Sequence, residues 1–139
     1  MKLVKISNKK PPEWILEAVK KQFDVEWESN VIFTYGNLIT NYTGIMTEDL
    51  LAHEQHHTEQ QTNFGGKDKW WKEYLKNDQF RFKQELECYR KQYQWVKKHS
   101  KDRNEIFNCL MQYATSLSGR MYGNIVTLQE AIKSIKTNK

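Results

Sequence analysis

The sequence predicts an α+β fold, with an N-terminal helix and a small antiparallel sheet packed on a mainly helical core. Three observations predict it. Residues 23–42 hold β-rich runs and period-two alternation. Beyond Gly44 the apolar residues recur at helical spacing towards the C-terminus. Side chains suited to starting helices, Thr47, Asp102 and Thr127, punctuate that second stretch. The length of 139 residues fits one domain, expected to span residues 1–139.

Pro11, Pro12 and Glu13 open the first helix, because a proline suits a first turn where its missing N–H is not needed. Trp14, Ile15, Ala18, Val19 and Gln22 then recur at helical spacing up to Phe23. Phe23, Val25 and Trp27 alternate with Asp24, Glu26 and Glu28, which predicts a strand. Val31–Tyr35 and Leu38–Tyr42 are β-rich and flank Gly36-Asn37, a two-residue hairpin turn. Thr47 is placed to cap a helix whose first turn carries Glu48 and Asp49, both favoured at the positive end of the dipole. That helix should reach about Gln61 and stop before Gly65-Gly66. Further helices are expected over Trp70–Lys76, over roughly Gln79–His99, and over Arg103–Leu117, where Asp102 and Glu105 form a capping-box pattern. Thr127 and Glu130 repeat that pattern before a last short helix.

Composition excludes several function classes. Five Trp, seven Tyr and six Phe can build a core despite a mean hydropathy of −0.87, so disorder is not expected. No apolar run exceeds three residues, whereas a membrane span needs ~20. The N-terminal MKLVKISNKK lacks the apolar region of a secretory signal. Cys88 and Cys109 have no CxxC spacing and read as reduced thiols, which places the chain in a cytoplasm. The net charge is +5, and Lys133, Lys136 and Lys139 fall in the last seven residues. A solvated helix end explains that tail, and with no arginine-rich run or RNA-binding signature nucleic acid is not the expected partner.

One segment carries chemistry. His53, Glu54 and His57 satisfy H-E-x-x-H on the helix that starts near Thr47. Positions i and i+4 lie about 40° apart around a helix, so both imidazoles point the same way and can share one Zn²⁺. Glu54, one residue on, reaches a metal-activated water without displacing it. Met46, Leu50 and Phe64 lie within about 60° of the histidine direction, so that direction faces the interior. His56 points to the other side. Ligating imidazoles usually donate their remaining N–H to an acceptor, and Gln60, Gln61 or Asn41 could serve. Gln60 and Asn63 stand where the longer H-E-x-x-H-x-x-G-x-x-H pattern has Gly and His, which leaves a downstream glutamate as third ligand.

Glu73, Glu85 and Glu87 are the candidates. Phe82, Leu86, Tyr89, Tyr93 and Val96 form an apolar stripe on the long helix, and Glu85 falls within about 60° of its centre. Glu87 falls about 140° away, beside Lys83, Arg90 and Lys91. A carboxylate on a core-facing stripe is costly unless a charge meets it, a condition that a zinc ion would satisfy for Glu85. Glu73 reads as a surface charge. The expected metal ligands are therefore His53, His57 and Glu85.

His53-Glu54-x-x-His57 followed by Glu85-Leu86-Glu87-Cys88-Tyr89-Arg90 resembles the minimal zinc metallopeptidase-like proteins of tailed phages and some bacteria. In these proteins a hairpin with a Tyr-Gly turn precedes the HExxH helix. Thr34-Tyr35-Gly36 looks like that turn, and Gly119-Arg120-Met121-Tyr122-Gly123-Asn124 looks like the loop closing the C-terminal helices. The resemblance covers about Val25 to Ile135 and implies a zincin-like core around the HExxH helix. More distantly, the pattern is similar to the gluzincin core of membrane metallopeptidases that process prenylated proteins. Glu85 matches their third ligand, Tyr89 stands where they have Asp, and Cys88 replaces a small residue.

The resemblance implies a zinc-dependent peptidase acting on a peptide or protein substrate. Zn²⁺ on His53, His57 and Glu85 leaves one position for water, and Glu54 takes the proton as that water attacks a peptide carbonyl. The oxyanion needs a further donor, for which Tyr122, Tyr89 and Arg120 are the candidates. Sequence does not choose between them, and Tyr122 is placed with Glu54 in the expected catalytic site. Two other classes stand beside this one. One is a zinc-containing but catalytically silent virion or assembly protein that meets phage structural proteins in the host cytoplasm or virion. The other is a small basic nucleic-acid binder whose histidines cluster by accident.

Overall fold

A computed structural model describes residues 1–137, so Lys139 of the basic tail lies outside the described residues. The elements run in the order β1 (Leu3–Lys5), α1 (Glu13–Phe23), β2 (Phe33–Tyr35), β3 (Leu38–Thr40), β4 (Ile45–Thr47), α2 (Glu48–Asn63), α3 (Lys67–Lys76), α4 (Asp78–His99), α5 (Arg103–Leu117) and α6 (Leu128–Lys136). Short 3-10 turns cover Trp27–Ser29 and Arg120–Tyr122. The fold is α+β, as the change of period near Gly44 predicts. The chain divides into two compact units, Met1–Lys76 and Asn77–Lys139. Among the described residues, no helix is long and apolar enough to cross a membrane.

The first unit holds all the strands. Its helix α1 starts behind Pro12 and buries Ile15 and Val19. Asp24 ends it in the left-handed region at φ 56°, with its N–H returned to the Lys20 carbonyl at 2.9 Å. The strand expected over residues 23–28 does not form. Glu26 and Ser29 instead cap each other around the 3-10 turn at Trp27, and Asn30 leaves that turn at φ 64°. The period-two alternation there arises because Trp27 is buried while Glu26 and Glu28 face solvent. The hairpin forms at the expected turn, with Phe33 opposite Thr40 and Tyr35 opposite Leu38. Gly36 supplies the positive φ of 61° that the turn requires. A second two-stranded sheet, unforeseen from sequence, pairs β1 with β4 in the register Val4 opposite Met46. The N-terminal segment also meets the open side of β3 through a bridge between Ser7 and Thr40. Helix α2 packs against β2, β4 and α3, and α1 packs against α3.

The second unit is helical. Asn77 caps α4 by accepting the Phe80 N–H at 3.1 Å, and Asp102 caps α5 by accepting from Asn104 and Glu105. At α6, Thr127 and Glu130 form the complete reciprocal box. Phe82, Tyr89, Tyr93 and Val96 of α4 meet Leu110, Tyr113, Ala114 and Leu117 of α5 and Ala131 and Ile135 of α6 in one core. Two buried or half-buried arginines tie the second 3-10 turn and α6 to α4. Arg81 donates from Nε to the Met121 carbonyl at 2.8 Å and pairs with Asp78, and Arg90 donates to the Ser134 carbonyl at 2.8 Å.

Candidate functional site

Helix α2 presents a polar face inward. Strand β4 delivers the chain directly into it, and Glu48 and Asp49 set acid at its positive end. Thr47 stands at the N-cap position but its side chain makes no capping bond, which corrects the expected role. At the other end Gly65 and Gly66 take φ of 94° and 113°. The Gly66 N–H then reaches the Gln61 carbonyl at 2.8 Å and closes the last turn. Between these ends His53, Glu54, His57, Gln60 and Gln61 are all buried.

His53 and His57 share one face, with ring centroids 5.0 Å apart. His57 meets the edges of Trp70 at 5.2 Å and Tyr74 at 6.5 Å, and those two rings stack on each other at 4.7 Å. The Trp-rich stretch of α3 is thus the aromatic wall that limits rotation of the imidazole. His57 Nδ1 lies 2.8 Å from Gln60 Oε1. An amide oxygen only accepts, so Nδ1 carries the hydrogen and the ring lone pair sits on Nε2.

Of the three acceptors the sequence offers, Gln60 is the one that serves His57. Gln61 instead accepts the Gly36 N–H and donates to the Thr34 carbonyl, each at 2.7 Å. Asn41 closes the turn before β4, donating to Ile45 O at 2.9 Å and accepting from Gly44 N at 2.7 Å. His56 lies on the solvent side of the helix with Nδ1 2.9 Å from Glu59 Oε2.

Glu54 is only 7% exposed, and a buried carboxylate is costly unless bonded. Its Oε1 accepts a hydrogen bond from Thr34 Oγ1 at 2.9 Å, and its Oε2 lies 3.8 Å from His53 Nε2. Thr34 belongs to β2, so strand and helix meet at this bond. A threonine in a β-rich run carries no sequence signal of such a role. Nor does sequence show that Trp71 Nε1 donates to the Thr34 carbonyl at 2.9 Å. Nearby, the Tyr35 hydroxyl donates to Asp68 at 2.6 Å, and that carboxylate raises the phenol above its ordinary value.

Two buried imidazoles one turn apart, one with its tautomer fixed for Nε2 ligation, fit a borderline-soft divalent ion such as zinc. Glu54, offset by one residue and engaged through one oxygen, suits proton transfer better than ligation.

His53, Glu54 and His57 are therefore brought together within the first unit, while Glu85 and Tyr122 belong to the second. Glu85 is buried at 3% exposure on the α4 face that also carries Phe82, Cys88 and Tyr89. Glu87 is exposed, as the helical wheel predicts, while Glu73 on α3 is half-buried and pairs with Lys76 at 3.5 Å. Tyr122 ends the second 3-10 turn, half-buried against the helical core with its ring 6.5 Å from Tyr89. Tyr89 in turn stacks on Tyr113 at 5.7 Å, and Arg120 is exposed. Buried Arg81, Cys88 and Gln92 on α4 went unmarked by the apolar stripe. No family model, no curated protein and no solved structure matches the chain.

Proposed function

We propose that this chain is a zinc-dependent metallopeptidase. The observation that carries the reading is the buried face of α2, where His53 and His57 sit 5.0 Å apart and Glu54 is held beside them by Thr34. His53 and His57 bind the ion, and Glu85, buried on α4, is the proposed third ligand. Zinc, when bound, supplies Lewis-acid activation of water and of the peptide carbonyl. Glu54 accepts the proton from the attacking water at its carboxylate and returns it to the leaving amine. Tyr122 is the proposed donor to the oxyanion. The substrate class is an unstructured peptide or protein segment. A cytoplasmic setting, in a host cell if the chain is phage-encoded, suits Cys88 and Cys109, which form no disulfide among the described residues.

The test is turnover of a flexible polypeptide by zinc-loaded wild type and Glu54→Gln. The variant keeps size and polarity but loses the basic oxygen, so zinc content and fold should survive while the rate falls ~10²–10⁴-fold. Equal inertness of both proteins with zinc bound would overturn the peptidase reading in favour of a zinc-stabilised assembly protein.

A further inference from the structure

Glu54 carries its carboxylate on a flexible side chain, and rotation about its last bond exchanges two equivalent oxygens. The structure breaks that equivalence. Oε1 accepts from Thr34 Oγ1 at 2.9 Å, and Oε2 is the oxygen 3.8 Å from His53 Nε2. In this bond the Thr34 hydroxyl is the donor and the carboxylate oxygen accepts. The rest of Thr34 is anchored independently of that hydroxyl. Its carbonyl accepts from Gln61 Nε2 at 2.7 Å and from Trp71 Nε1 at 2.9 Å, and its side chain is 2% exposed. Strand β2 is thereby fixed to α2 and α3 by bonds that a change of the hydroxyl alone does not touch.

We propose that Thr34 is a positioning residue for the general base, tethering Oε1 of Glu54 so that Oε2 is held on the His53 side before substrate arrives. The proposal rests on the metallopeptidase reading and deepens it, because a base held in one orientation avoids reorganisation in the transition state. Substrate contacts are not involved, so binding of substrate should be left alone.

The experiment compares wild type, Thr34→Val and Thr34→Ser as full chains. It measures kcat and KM on an unstructured fluorogenic peptide pool, zinc affinity by competition with a chelating dye, and exchange of the Thr34 hydroxyl proton by NMR. Thr34→Val should lower kcat roughly 10–100-fold, with KM and zinc affinity unchanged within about twofold, and Thr34→Ser should restore most of kcat. The wild-type hydroxyl proton should exchange slowly and become fast in Glu54→Ala. A kcat unchanged in Thr34→Val would overturn the tether while leaving the peptidase reading intact. So would a loss of zinc affinity together with kcat that serine does not rescue, since that marks a structural role. A zinc-loaded wild type inert towards the whole pool would instead remove the base's function, and with it this one.

Discussion

Glu54 follows His53 by one residue, so about 100° of helix separates the two side chains, whereas His53 and His57 differ by about 40°. That angle sets Glu54 on a different line of the helix from the two histidines, and it was legible in the sequence because it depends only on helical geometry. The same geometry sorts the glutamates of α4, with Glu85 buried and Glu87 exposed. Glu85→Gln should therefore weaken zinc affinity strongly, and Glu87→Gln should be close to neutral, as a metal titration of both variants would show. A reversed pair of effects would place the third ligand on the wrong side of α4. Gln60 makes a further prediction. Gln60→Leu removes the acceptor at His57 Nδ1 and should cost about 10–100-fold in zinc affinity, while Gln60→Glu, which still accepts, should keep it. Sequence narrowed this acceptor to three residues but could not choose, because the choice depends on where the hairpin lies. Thr34 was not legible at all, since its partner is twenty residues away on another element.

Elements with a complete local signal appeared where the sequence placed them. Thr127 and Glu130 cap each other through bonds of 3.1 and 2.9 Å, so Thr127→Ala should destabilise the second unit by about 0.5–2 kcal/mol, read by denaturant melts. The bonds from Thr127 hold the Glu130 carboxyl below its ordinary value of 4.5. A lowered folded value means that its contribution is present above that pH and fades as acid protonates it in the folded state. Glu130→Gln should accordingly flatten the pH dependence of the melting temperature below about 4.5, the ordinary value. Strands β1 and β4 were missed because three residues cannot display a period, and their pairing spans more than forty residues of chain. The alternation at residues 23–28 misled for the opposite reason, a strand-like pattern on a turn that side chains close locally. The hairpin is held from outside by Gln61, which is 1% exposed and bonded to both Gly36 and Thr34. Gln61→Leu leaves those backbone groups without that partner and should cost roughly 1–3 kcal/mol, with faster amide exchange at Gly36.

At the scale of the whole molecule, the chain of 139 residues puts its strands and the HExxH helix in the first compact unit and three further helices in the second. The change of period marked that passage from strands to helices, but composition gave no sign of a division after Lys76, because no glycine- or proline-rich linker stands there. Binding of an ion to the folded chain alone adds stability by mass action, so removing it should lower the melting temperature. The most direct test of the account is therefore the zinc content of protein purified without chelator, measured for wild type and His57→Ala together with the melting temperature of each before and after chelation. Zinc binding at this site predicts equimolar zinc in the wild type, loss of zinc in His57→Ala, and a chelator-induced drop in melting temperature that only the wild type shows. A wild type that carries no zinc and melts identically with and without chelator would contradict it.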